Sequence, residues 1–288
     1  MSRRTDNRHR VATLCREATG LAHHTCLKWA AAGLITRRQP VPDAAGAEQR
    51  AFESQLVLEL ADRLRHEQVD GAVLGFTHAR PSRSGLVLGL HPATADAVLA
   101  AVVPRFDERY GGLRGVPGLR LSPQGGEWAL TRVGGEALVR LVHPRADWVP
   151  RLPDHGDGLT QLWRSHRRGV HPAEAAEVRR WGSEGGGAET CGRLLSRVLR
   201  RPLLVNAAGT AHGWANTYHH GRRSLVIEWC CAVGAPEMED RLRRSGLAAP
   251  SPGTASEADG RADPPGRISL DGASLTVRRG PCAERVPC

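Results

Sequence analysis

Apolar residues recur along this chain in two rhythms. From Ala51 to His66 they return every fourth position, Phe52, Leu56, Leu60 and Leu64, which places them on one face of an amphipathic helix. Helices are also predicted over Asn7–Ala18, where Val11, Leu14 and Cys15 share a side, and over Ala22–Ala32. Further helices are expected from His91-Pro92 through Val103, with Pro at the favoured first position, and over Gly158–Arg168, Pro172–Trp181, Thr190–Arg200 and Pro236–Arg244. Short apolar runs at Ala72–Phe76, Leu86–Leu90, Leu113–Leu121 and Leu203–Asn206 predict strands. Gly134-Gly135 between Glu127–Val133 and Glu136–Val142 marks a hairpin, because paired glycines readily take the positive φ of a tight turn. A second hairpin is read over Trp214–His219 and Arg223–Trp229, turning at His220-Gly221. A small third one, Arg267–Val277, turns at Asp271-Gly272 and must dock on the main body or fray.

These elements divide the chain. Residues 1–38 form an N-terminal helix pair and 39–50, rich in Pro and Ala, a linker. Residues 51–150 form a first α/β module, and 151–249 a second one carrying the polar hairpin. Residues 250–288 read as a flexible tail holding the small hairpin. The expected class is α+β: a helix-turn-helix-like element followed by two small α/β modules, each helix, strand and hairpin. Two echoes point to duplication. GLHPATADAV from Gly89 resembles GVHPAEAAEV from Gly169, an offset of 80, and WALTRVGG from Trp128 resembles WANTYHHG from Trp214, an offset of 86. Coincidence in an Ala-, Gly- and Arg-rich sequence accounts for the same matches.

Two short helices joined at Gly20 have the geometry in which a second helix enters the major groove. On that geometry Leu21, Cys26 and Trp29 face inward, while His23, His24, Thr25 and Lys28 reach outward to phosphates or base edges. An ordinary helical hairpin packed on the next domain has the same pattern. The run Thr19–Ile35, TGLAHHTCLKWAAAGLI, resembles the helix-turn-helix of MerR-type regulators and phage excisionases, with Thr19, Gly20, Thr25, Trp29, Gly33, Leu34 and Ile35 in the matching places. The resemblance implies DNA contact through the second helix. The family's wing is not recognisable in TRRQPVPDAAGAEQ and no effector-binding coiled coil follows, so metal or drug sensing is not implied.

Charge sharpens the picture. The chain carries a net charge of +10, with 40 basic side chains of which Lys28 is the single lysine. Residues 1–50 and 151–249 each contribute +5, and the remaining segments balance. Such a field raises affinity for polyanions whatever codon usage produced it, so duplex DNA is the expected partner. Arg37 and Arg38 extend the basic N-terminal patch, and Arg197, Arg200 and Arg201 line a helix of the second half. No run approaches the roughly 18 apolar residues of a membrane helix, so no membrane partner is expected. The seven cysteines are irregularly spaced without a CxxC pair, and MSRRTDNRHR has no apolar core after it, which together predict a cytoplasmic protein with reduced thiols.

The densest cluster of candidate chemistry is Leu203–Trp229. His212, His219, His220, Cys230 and Cys231 are possible zinc ligands, but neighbours on a strand point to opposite faces and cannot all converge, so no metal and no cofactor is expected. His212 as general base with Glu228 orienting it, or binding Mg²⁺, is a hydrolase or nuclease alternative; Glu228 is, however, the single carboxylate between Thr190 and Pro236. The third reading is a binding surface. Trp214, Asn216, Tyr218 and His220 alternate along one strand with Arg222 and Arg223 at its turn, an arrangement that suits phosphate contact and base stacking. Buried aromatics with arginines around them, or a protein-interaction module with incidental basic charge, explain the same residues.

Overall fold

A computed structural model describes residues 3–64, 72–152, 158–166, 168–183, 188–205, 215–230, 233–248 and 265–280. The chain opens with a helix pair, α1 (Arg3–Thr19) and α2 (His23–Ala31), followed by α3 (Ala47–Arg63). A hairpin of β1 (Phe76–Pro81) and β2 (Leu86–Leu90) leads into α4 (Ala95–Val102). Next come the short β3 (Arg105–Asp107) and β4 (Gly112–Arg114), then β5 (Leu119–Gln124), β6 (Glu127–Arg132) and β7 (Leu138–Val142). The second half comprises β8 (Leu159–Gln161), α5 (Leu162–Ser165), α6 (Pro172–Ser183), α7 (Ala188–Leu199) and α8 (Pro202–Val205). It ends with β9 (Ala215–His219), β10 (Ser224–Trp229), α9 (Ala235–Arg244), β11 (Gly266–Leu270) and β12 (Ala273–Arg279). The class is mixed α+β, as the patterning predicts.

Two sheets share one strand plan. The five-stranded sheet runs β1-β2-β7-β6-β5, and the four-stranded sheet runs β9-β10-β12-β11. In each, the second strand of one hairpin lies parallel to the second strand of another: Leu88 beside Leu141, and Ile227 beside Val277. A parallel neighbour needs a crossover. Here α4 or α9 supplies a helix within each crossover, and α3 or α7 precedes each sheet. A small third sheet, β4-β3-β8, sits beside the first.

Helix α3 is the pivot. Its fourfold repeat buries Phe52, Leu56 and Leu60, with Val57 and Ala61 beside them, in a core that also contains Leu88, Leu99 and Val139 of the first sheet region and Leu195, Val198, Leu225 and Ile227 of the second. Helix α3 packs along α7 at a point where Gly192 faces the Arg50–Ala51 backbone; a Cβ there would lie 3.4 Å from it. One polar network is sealed inside this contact. Arg200 and Glu53 have no exposed side-chain surface, and Arg200 donates twice to the carboxylate, from Nε at 2.8 Å and from Nη2 at 2.6 Å. The remaining donors of Arg200 reach the carbonyls of Pro42, Ser82 and Gly85. Glu53 also accepts from Gln49 and Ser196.

Several expectations change. The Gly158–Arg168 helix is instead the strand β8 and the one-turn α5, and the Leu203–Asn206 strand is the single helical turn α8, with Asn206 outside the described residues. The Leu113–Leu121 strand splits into β4 and β5, because Gly115 and Gly118 take φ of 81° and 74°. The 39–50 stretch is no free linker: Asp43 receives Arg197, Pro42 receives Arg200, and α3 begins at Ala47. The hairpin in the tail docks, since β12 occupies an interior place in the second sheet. The two sequence echoes do not take equivalent places. His171-Pro172 starts α6, where Glu174 accepts the His171 amide, whereas His91–Thr94 forms a turn ahead of α4.

Removing one partner of a buried, fully bonded pair strands the other charge. Arg200→Met is therefore expected to lower stability by ~3–5 kcal/mol, and the double change Glu53→Leu/Arg200→Met to recover much of that loss, read by urea unfolding. Unchanged stability in the single variant would remove the keystone role. A second group works against the fold: burial raises the Glu59 carboxyl to about 6 from 4.5. The folded state then holds this proton more tightly than the unfolded chain, so the contribution of Glu59 to stability falls as pH rises from 4.5 through 6. Glu59→Gln is expected to gain up to ~2 kcal/mol at pH 7 and nothing below pH 4, in paired thermal melts.

Candidate nucleic-acid interface

The helix pair builds its own small core. Val11, Ala12 and Cys15 of α1 meet Cys26 of α2 and Ile35 beyond it, with Leu21, Leu27, Trp29 and Ala30 packed half-buried around them. Gly20 makes the turn at φ 76°, and Gly33 ends α2 at φ 71° with its amide on the Ala30 carbonyl and the Leu34 amide on that of Trp29. That pairing is the Schellman pattern, in which a left-handed glycine closes the last turn. The inner face of α2 is thus occupied, and its other face is outside.

Outward lie His24 and Lys28, exposed on α2, with Thr25 and His23 half-exposed beside them. The His24 ring meets the Thr25 hydroxyl at 3.3 Å, and His23 stacks on His9 of α1 at 5.7 Å. Arg37 and Arg38 stand exposed at the tip of a turn held shut by reciprocal Thr36 and Gln39 backbone bonds. Among the described residues no carboxylate pairs with Lys28, Arg37 or Arg38. Arg8, Arg10 and Arg16 are exposed on α1, Arg10 being paired with Asp6 at 3.2 Å. All six predicted N-terminal positions therefore lie at least partly exposed, on α2 and on the turn that follows it.

The arginines predicted from α7 do not join it. Arg200 is sealed against Glu53, and Arg197 holds Asp43 through Nε at 2.9 Å and the Leu247 carbonyl at 2.8 Å. Arg201, with no exposed surface, donates to the Ser245 carbonyl and hydroxyl and to the Arg197 carbonyl. Burial lowers its proton affinity, Asp43 opposes that, and Arg197 and Arg200 add to it. All three are internal struts, placed inward because α7 packs on α3 rather than facing solvent.

The β9–β10 hairpin forms as predicted, but its polar side chains are mostly occupied. Glu228 accepts from Asn216 at 3.2 Å, from Tyr218 at 3.5 Å and from Arg278 Nε at 2.7 Å, and Arg278 also bonds Tyr218. The Glu228 bond holds the Arg278 guanidinium above its ordinary range. Tyr218 is buried by this arrangement and offers no free stacking face. Arg222 lies 3.9 Å over the Trp181 ring and bonds Glu177, leaving Arg223 as the exposed cation of the turn. His212 and Trp214 fall outside the described residues, so the pairing of His212 with Glu228 has no geometry here. No group of three or more His, Cys, Asp or Glu side chains converges among the described residues, and none of their helices is long and apolar enough to cross a membrane.

Two clefts border the helix pair, and both are lined with arginines outside the predicted set. One, about 500 Å³, lies between Leu34, the Pro42–Ala45 segment, Arg50, Arg83 and Arg193. Its cations are partly neutralised, since Arg193 sits 3.9 Å from Asp43 and 3.6 Å from Asp271. The other, about 310 Å³, lies between Trp29 of α2 and the outer face of the first sheet, where Arg80 and Arg140 stand. Alternation along β1, with Ala79 and Pro81 buried and Arg80 exposed, is the sequence signal that could have found them. Comparisons with protein-family models, curated proteins and solved structures found no match.

The turn that sets the angle of α2 depends on Gly20. A Cβ there would lie 3.0 Å from the His78 Cβ and 3.1 Å from the Thr77 carbonyl, on top of its left-handed φ. Gly20→Ala is expected to cost at least ~1–2 kcal/mol in chemical unfolding. Gly33→Ala, whose Cβ would meet nothing within 4 Å, should cost no more than the backbone strain alone.

Proposed function

We propose that this protein binds duplex DNA, as a regulator or an accessory protein of a mobile element, with α2 against the groove and the Thr36–Gln39 turn on the backbone. One observation carries the reading. The apolar side of α2 is used up by the helix pair's own core, its outer side presents Lys28, and the turn after it presents Arg37 and Arg38, all three without a carboxylate partner among the described residues. Unpaired cations on a rigid element are what releases counterions from a phosphate backbone. The short resemblance over Thr19–Ile35 points the same way. The grip expected from α7 passes in this reading to Arg80 and Arg140, which line a cleft with Trp29 of α2, and to Arg83 near Leu34.

We further infer that the body behind the helix pair is a duplicated unit of helix, hairpin, helix and hairpin. Aligning the parallel ladders sets Leu86-Val87-Leu88 on Leu225-Val226-Ile227, an offset of 139, and Val139 and Leu141 on Leu275 and Val277, an offset of 136. Helices α3 and α7 begin 141 residues apart. Offsets this similar are the support for common origin, and they replace the pairing at 80 and 86.

A falling affinity with rising salt is the required signature. The triple change Lys28→Ala/Arg37→Ala/Arg38→Ala is expected to reduce the slope of log K against log salt by about 2–3, at ~0.9 per lost phosphate contact. It should leave thermal stability unchanged. Absence of duplex binding by the parent protein at low salt, or an unchanged slope in the variant, would defeat the reading.

A further inference from the structure

The cleft between α2 and the first sheet has a specific construction. Register across the sheet places Arg80 opposite Val87, and Val87 beside Arg140, in one transverse row. Arg80 and Arg140 are both exposed, and the short Val87 between them leaves the space that the cleft occupies. Neighbouring strands lie ~4.8 Å apart, so these two long side chains flank a gap of about 10 Å that a phosphate group can bridge. Arg80 has no carboxylate partner among the described residues, and Arg140 forms a single loose ion pair, with Glu127 at 3.9 Å. The half-buried indole of Trp29 forms the opposite wall, and Ser82, Ser84 and Gly85 line one end. At about 310 Å³ the space is at the small end of ligand pockets, which begin at ~300 Å³.

The second sheet shows that this is not a by-product of the fold. At the same register its row reads Tyr218, Val226 and Thr276. Valine is retained in the middle, but both cations are missing, and Tyr218 is tied into bonds with Glu228 and Arg278. The first sheet keeps an open cationic row beneath an aromatic wall, while the second closes its face with its own side chains.

We infer that this cleft is a nucleotide site: one unpaired nucleotide of a bound strand enters it, its base against Trp29 and its phosphate between Arg80 and Arg140. The inference rests on the nucleic-acid reading above and adds that the protein prefers DNA with an unstacked or single-stranded position next to the duplex held by α2. Flat aromatic contact together with guanidinium pairing is how single-stranded nucleic acid is held without sequence readout.

The test titrates the full-length protein with hexathymidylate and, separately, with a blunt duplex, by fluorescence anisotropy. Arg80→Ala/Arg140→Ala, both on the surface, is expected to weaken hexathymidylate binding at least tenfold. Trp29→Leu should weaken it about five- to hundredfold. Lys28→Ala/Arg37→Ala/Arg38→Ala should leave it within twofold while weakening the blunt duplex. Because Trp29 belongs to the small core, the thermal melt of its variant is recorded alongside, and the arginine pair decides if that variant does not fold. Absent hexathymidylate binding, or equal binding by parent and arginine-pair variant, overturns the cleft even if the duplex behaves as proposed. Loss of duplex binding with retained, arginine-dependent hexathymidylate binding instead overturns the role of α2 and upholds the cleft. Displacement of hexathymidylate by inorganic phosphate at similar concentration, with no effect of Trp29→Leu, would reduce the site to an anion pocket and overturn the nucleotide claim.

Discussion

The buried pair of Glu53 and Arg200 is the constraint on which the rest of the molecule depends. Taking two charges out of water is costly, and the cost is offset only when geometry is close and every remaining donor and acceptor finds a partner. Both conditions are met. The guanidinium makes a two-pronged contact with the carboxylate and reaches three carbonyls, while Gln49 and Ser196 serve the carboxylate. Lysine, with a single ammonium on a flexible stem, could not span these acceptors as the planar fork of arginine does. The partners come from α3, α7, the segment before α3 and the β1–β2 loop, so a single cluster fixes how the two halves meet. Gln49 extends it, donating to the Leu138 carbonyl and accepting its amide at the start of β7.

That cluster also explains why the arginines of α7 misled a reading from sequence. A stretch with Arg193, Arg197, Arg200 and Arg201 has the look of a solvated basic face. What turns three of them inward is a glutamate 147 residues away on α3, an aspartate before it and a serine after α9. No local period carries that information. Elements whose logic is local were legible: the fourfold stripe of α3, the glycine-ended α2, the Gly134-Gly135 hairpin and the turn near His220-Gly221. The small hairpin was visible too, through the alternation of Leu275 and Val277, but its place was not, because β12 pairs in parallel with a strand 50 residues earlier. The outward placement of His24 and Lys28 was legible because helix faces follow from spacing, whereas the Arg80–Val87–Arg140 row requires knowing that β7 crosses back to lie beside β2.

The two sheets share a strand plan, but their outer faces are built differently. On the second sheet, position 228 is a glutamate where the first has Gly89, and position 278 an arginine where the first has Val142. Those two residues pair, gather Tyr218 and Asn216, and neutralise the face. With Arg222 laid on Trp181, much of the polar hairpin is engaged by α6 and β12, while Asn216 Oδ1 and Thr217 Oγ1 lie buried without a partner among the described residues. On the first sheet Gly89 cannot carry a side chain at all, since a Cβ would overlap the His78 ring, 2.0 Å away. There Arg80 has no carboxylate partner among the described residues, and Arg140 has only the 3.9 Å contact with Glu127.

Formal charge and available charge are therefore different quantities in this protein. Of the +5 assigned to residues 151–249, much comes from arginines held in internal ion pairs or against carbonyls, and these cannot meet an incoming phosphate without dismantling the core. A Debye length of about 8 Å at physiological salt further confines attraction to cations that stand at the surface near the contact. Lys28, Arg37 and Arg38 meet that condition on the helix pair, and Arg80 and Arg140 meet it across the cleft from Trp29. A net charge of +10 would draw a polyanion towards the molecule. On the proposed reading, where it stays is set by the surface cations that the fold has left unpaired or only loosely paired.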